Sequence, residues 1–91
     1  MSASTYGAVS VGSTPTIILQ ANNDRKGCLI RNASSSTTVY LGFDANVTTS
    51  TGMLLDGGAT LQNSDLNAAW RGNIYGIVAS GSVDTRFWEW Q

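Results

Sequence analysis

Arg86, Trp88 and Trp90 lie two residues apart near the end of the chain. In an extended segment that spacing puts all three side chains on one face. Two indoles and a guanidinium on one face suit three roles. They can fill the interior of a sandwich. They can form a contact between subunits, where Trp, Tyr and Arg concentrate binding energy. They can form a platform for stacked sugar rings. Left uncovered on a monomer they would make a large apolar patch. Tyr6 joins them as a candidate contact residue. Trp70-Arg71-Gly72 is read as covering one end of the core, with sugar stacking as the second reading. Arg25-Lys26-Gly27 is a small basic knuckle ahead of a strand, either a solvated turn or a docking point for an acidic partner surface.

Other chemistry finds few residues to carry it. Asp24, Asp44, Asp56, Asp65 and Asp84 mostly fall in predicted turns and read as solvated turn-formers. Calcium at Asp44 or Asp56 would need several clustered oxygen ligands, and the spacing does not supply them. The chain has no His. That excludes an imidazole base and a His-containing zinc site. Cys28, the only cysteine, cannot form a disulfide within the chain or a thiolate metal site. Flanked by Gly27 and Leu29, it reads as a buried structural thiol. Gly57-Gly58 and Gly72 are turn glycines, since no helix follows them to make a phosphate cradle. No nucleophile–base pair is visible. The expectation is a protein that is not an enzyme, with no catalytic residues, cofactor or metal.

Five Lys and Arg stand against six Asp and Glu, for a net charge of −1, and charged residues make up 12% of the chain. That is about half the usual share. The cations are scattered apart from Arg25 and Lys26, so there is no basic stripe for nucleic acid. The longest apolar run, Ile17-Ile18-Leu19, is far short of a bilayer span. Met1-Ser2-Ala3-Ser4-Thr5 has neither the basic region nor the apolar core of a signal peptide. A chain kept in a cytoplasm, or assembled there into something larger, fits these features.

The elements that position these residues are strands. Gly, Ser, Thr and Asn dominate, good helix formers are scarce, and Thr, Val, Ile and aromatic residues fill the segments between turn signals. Strand patterns recur about every ten residues, as in a sandwich or barrel. Residues 6–11 form a weak strand broken by Gly12-Ser13-Thr14-Pro15. Residues 16–21 place Ile17 and Leu19 on one face and Ile18 on the other. Residues 26–32 place Cys28 and Ile30 together. In residues 38–43, Val39, Leu41 and Phe43 point inward. Residues 53–55 make a short strand, Asp56-Gly57-Gly58 a tight turn, and residues 59–61 pair back onto it. Residues 62–69 are ambiguous between loop and a single helical turn. Residues 73–79 and 83–90 complete the set, with Ile74 and Val78 on one face of the first. In the second, Val83, Thr85 and Phe87 lie opposite the Arg86-Trp88-Trp90 face.

Ninety-one residues give one domain. The expected fold is all-β: a single-domain, jelly-roll-like β-sandwich of seven to eight short antiparallel strands over residues 15–91, with residues 1–14 as an N-terminal arm or edge strand. Such a chain buries only about 60–65% of its unfolded surface. Without disulfides or a metal, the remaining support is association with other subunits.

The order of motifs is familiar. It runs from Ala21-Asn22 and Arg25-Lys26-Gly27-Cys28-Leu29-Ile30-Arg31-Asn32 to Val39-Tyr40-Leu41-Gly42. Ser50-Thr51-Gly52 and Leu54-Leu55-Asp56-Gly57-Gly58 follow. Trp70-Arg71-Gly72-Asn73-Ile74-Tyr75-Gly76-Ile77 and Val83 through Trp90 complete it. This order, over residues 15 to 90, resembles small virion structural proteins of tailed bacteriophages, of the head-decoration (cement) or fibre-base type. Relatives often carry Pro before the Gly of the Leu-Asp-Gly-Gly turn, and this chain does not. The resemblance implies a protein that binds the outer capsid surface as a homo-oligomer, a trimer by preference. Its partners would be the major capsid protein and itself, with neither nucleic acid nor membrane. It would be located on the virion after assembly in the host cytoplasm. A head- or tail-fibre module with a receptor- or glycan-binding surface is the alternative, supported by Trp70, Trp88 and Trp90.

Overall fold

The computed structural model describes residues 4–63 and 70–90. Eight strands appear there and no helix: β1 (Ser4–Val11), β2 (Thr16–Leu19), β3 (Gly27–Asn32), β4 (Val39–Gly42), β5 (Met53–Leu55), β6 (Thr60–Asn63), β7 (Ile74–Ile77) and β8 (Val83–Trp90). They form two antiparallel sheets of four strands, ordered β1-β8-β3-β6 and β2-β7-β4-β5. The pairs β1–β8, β2–β7, β3–β6 and β4–β5 are nested in the sequence. The ambiguous stretch after Asn63 lies outside the described residues.

One cluster of buried side chains draws on both sheets. Val11, Cys28, Ile30 and Val83 come from the first, and Ile18, Leu19, Val39, Leu41, Leu55 and Ile74 from the second. At Gly76 the first and second sheets leave no room for a side chain. A Cβ there would lie 2.8 Å from Ile18, 3.2 Å from Val39 and 3.3 Å from Val11. Gly58 and Gly81 take positive φ (78° and 71°), which only a residue without Cβ adopts cheaply, and both turn the chain.

The alternation of β3 matches its pattern, with Cys28 and Ile30 buried. Three expectations need correction. Residues 59–61 do not pair back onto 53–55. β5 pairs with β4 and β6 with β3, so the Asp56-Gly57-Gly58 turn carries the chain from one sheet to the other. Ile17 and Leu19 do not share a face. The β2–β7 register shifts between them, and Ile18 and Leu19 are both buried. Such a bulge adds a residue that simple alternation does not count. Phe43 is exposed, because β4 ends at Gly42 and the chain bends from Phe43 onward. Of the two alternatives for residues 1–14, the described part forms the edge strand β1, and its last residue, Val11, belongs to the core.

Candidate interaction surface

β8 is the scaffold of the site. It lies between β1 and β3, so each of its outward side chains has a neighbour on both sides. Its burial alternates: Val83, Thr85 and Glu89 are buried, while Asp84, Arg86 and Trp88 are exposed. The register gives two cross-strand rows on the outer face. Tyr6, Trp88, Leu29 and Gln62 form one row. Ala8, Arg86, Arg31 and Thr60 form the next. Tyr6 is 80% exposed and Trp88 52% exposed. Between the rows lies an open, mostly apolar depression bordered by Tyr6, Ala8, Leu29, Arg86 and Trp88.

Arg31 and Arg86 face each other directly across the ladder. Like charges in that position repel. Asp84 relieves the repulsion, accepting from Arg86 Nε at 2.9 Å and from Nη2 at 2.8 Å. The hydrogen bonds from Arg86 hold the Asp84 carboxyl below the usual carboxylate range, and the same bonds raise the Arg86 guanidinium. Among the described residues Arg31 donates to Thr60 Oγ1, at 3.5 Å. The two rows, with Asp84, thus combine the Tyr6 and Trp88 rings, the Leu29 side chain and two guanidinium groups with one carboxylate.

Not every candidate residue belongs to this face. Trp90 shares it, half-buried opposite Gly27. The interior reading of the Arg86-Trp88-Trp90 face is corrected, because Phe87, Thr85 and Val83 take the inward side. Lys26 is exposed, and its backbone N–H donates to Trp90 O at 2.8 Å. Trp70 is 37% exposed. Its ring stacks on exposed Phe43, with centroids 4.5 Å apart, and its Nε1 donates to Asn73 O at 2.8 Å. With Met53 and Leu54, 67% and 63% exposed, Phe43 and Trp70 make further apolar surface.

Arg25 is neither a solvated turn residue nor a docking point, since it is 0% exposed. Its Nε donates to Glu89 Oε2 at 2.7 Å. Its Nη1 donates to Trp70 O and Gly72 O at 2.9 and 3.0 Å, and its Nη2 to Gln20 O. A buried cation needs this many partners to offset lost hydration. The signal was present in the sequence: strand alternation puts Glu89 on the inward side with Phe87, and an inward carboxylate requires a cation.

Asn32 was missed as well. Wholly buried, it donates through Nδ2 to Thr37 O and Leu55 O at 2.6 and 2.8 Å and accepts from Ser34 N–H at 2.9 Å. It ties β3 to the end of β5. Cys28 is buried, and desolvation pushes its thiol above the usual range, Arg25 and Glu89 exerting smaller and opposing effects.

Among the described residues no three His, Cys, Asp or Glu side chains gather as metal ligands. The surface is suited to contact. Comparison with family models, with curated proteins and with solved structures finds no match.

Proposed function

We propose that this chain is a structural virion protein of a tailed phage, a jelly-roll β-sandwich that binds the outer capsid surface as a homo-oligomer, a trimer by preference. The observation that carries the reading is the exposed Tyr6–Trp88 row beside the Arg31–Arg86 row on the outside of one sheet. That composition is typical of interface hot spots. The nested strand pairs support the fold reading. A long hairpin with its bend between β4 and β5, rolled so that successive pairs lie in different sheets, gives the order β1-β8-β3-β6 and β2-β7-β4-β5. Jelly rolls of eight strands are common in viral capsid and lectin domains. The order of motifs from Ala21 to Trp90, which resembles decoration proteins, supports the virion assignment.

Capsid binding then works by multiplicity. Each copy contributes a modest contact, and an oligomer with several copies engaged dissociates far more slowly than one copy. The test is to purify particles and measure this protein's copy number against the major head protein. A fixed ratio set by the lattice supports the reading, and absence from washed particles refutes it. A glycan-binding fibre module is the second reading, favoured by the adjacent Tyr6 and Trp88 rings. Titration with oligosaccharides, followed by tryptophan fluorescence, separates the two, since only the glycan reading predicts a saturable change.

A further inference from the structure

We infer that copies of this chain associate head to tail, the free edge of β1 in one copy receiving the free edge of β5 in the next. The inference rests on the oligomeric part of the reading above and names the surfaces it would use.

The edges themselves are the first argument. Among the described residues β1 borders the first sheet and β5 the second, with no strand beyond either. An edge strand presents unpaired N–H and C=O groups, and proteins usually blunt it with Pro, charge or a bulge. β1 reads Ser-Thr-Tyr-Gly-Ala-Val-Ser-Val, without Pro or charge, and its register with β8 is unbroken from Ser4 to Val11. β5 reads Met-Leu-Leu. β2, by contrast, follows Pro15 and carries the bulge between Ile17 and Leu19.

The side chains beside these edges are complementary. Tyr6 and Ala8 are two residues apart on the outer side of β1. Leu54 and Asp56 are two residues apart at β5, and both are exposed. One strand pairing sets Leu54 of the neighbouring copy against Tyr6 and Asp56 of the neighbouring copy against Ala8. A strand added beside β1 lies about 4.8 Å from it and about 10 Å from β8. Ala8 is small, so a carboxylate above it has a clear path to Arg86. Arg86 spends Nε and Nη2 on Asp84, while its Nη1 has no hydrogen bond among the described residues.

The charged groups nearest the two edges differ in sign: exposed Asp56 follows β5, while Arg86 and Arg31, with Asp84, stand in the outer row that begins at Ala8 of β1. Opposite charges at the two contact surfaces favour contact between unlike faces over contact between like ones. A contact between two different surfaces is heterologous. It closes as a ring when the rotation between copies permits, and three copies are the smallest such ring.

Sedimentation equilibrium of the full chain at micromolar concentration tests this, with circular dichroism reporting folding. Wild type is expected to sediment at three times 9.6 kDa. Asp56→Lys and Arg86→Glu should each reduce the mass threefold, and the double variant Asp56→Lys/Arg86→Glu should recover it. Ala8→Arg, at an exposed position, should also dissociate the assembly and serves if Arg86→Glu does not fold. A wild-type monomer overturns both this contact and the oligomeric reading. Unchanged mass in every variant overturns this contact alone and moves self-association to another surface. Dissociation in both single variants without recovery in the double variant overturns the Asp56–Arg86 pairing.

Discussion

Arg25 Nε and Glu89 Oε2 lie 2.7 Å apart inside the fold, on residues 64 positions apart in the chain. The pair joins the turn before β3 to the end of β8, and through Arg25 it also fixes the carbonyls of Gln20, Trp70 and Gly72. Breaking it by removing one partner leaves a buried charge alone, at a cost of about 3–5 kcal/mol. Arg25→Met and Glu89→Leu should each lose that much in urea unfolding, while the double variant should lose clearly less than their sum. Additive losses would mean that the carbonyl contacts of Arg25, not Glu89, hold this region.

Asn32 makes a second prediction. Asn32→Leu keeps the branched shape of the side chain but leaves Thr37 O and Leu55 O without their donor. Each buried unpaired group costs about 1–3 kcal/mol. The variant should lose at least about 2 kcal/mol in denaturant unfolding, and amide exchange should quicken first around Gly58, whose N–H donates to Asn32 O at 2.9 Å.

Trp88 and Tyr6 should behave differently from core residues. At dilutions too low for association, Trp88→Ala and Tyr6→Ala should change stability by only about 0.5–1 kcal/mol, because an exposed side chain leaves no cavity. A loss near 3 kcal/mol in the dilute protein would show that the face is covered within a single chain.

Cys28 gives a pH-dependent prediction. Burial raises its thiol above the ordinary range. A group with a raised folded-state value contributes stability that is complete below its unfolded value, and that stability falls as pH climbs through the folded one. Stability should therefore be insensitive to this group below a pH of about 8.5 and decline above it. Cys28→Ser should flatten the alkaline limb. A thiol reagent at pH 8 should label Cys28 only after denaturant is added.

The strands were legible where alternation was clean and one face was apolar, as in residues 28–31, where Cys28 and Ile30 alternate with Leu29 and Arg31. β2 was misread because a bulge changes the count by one, and periodicity alone has no marker for it. The pairing of β5 and β6 was misread because Asp56-Gly57-Gly58 suits a hairpin, and local sequence does not say which sheet the next strand joins. The outer face was legible in part. Arg86, Trp88 and Trp90 were placed together by spacing, but Leu29 and Arg31 join them only through the β3–β8 register. Arg25 was taken for surface because charge next to Lys26 suggests solvent, whereas its partner sits at the far end of the chain.

The place of β8 between β1 and β3 also sets an order in time. Until Val83–Trp90 has been synthesised β1 has no neighbour and β3 has only β6, so the first sheet is completed only after nearly everything before it has emerged. Nearly all of its ladder spans long sequence separations, the arrangement that slows folding. During that wait the Tyr6 edge and the apolar side of β3 stand open to other chains. Crowded synthesis of many copies is the condition under which such a protein either finds its neighbours early or aggregates.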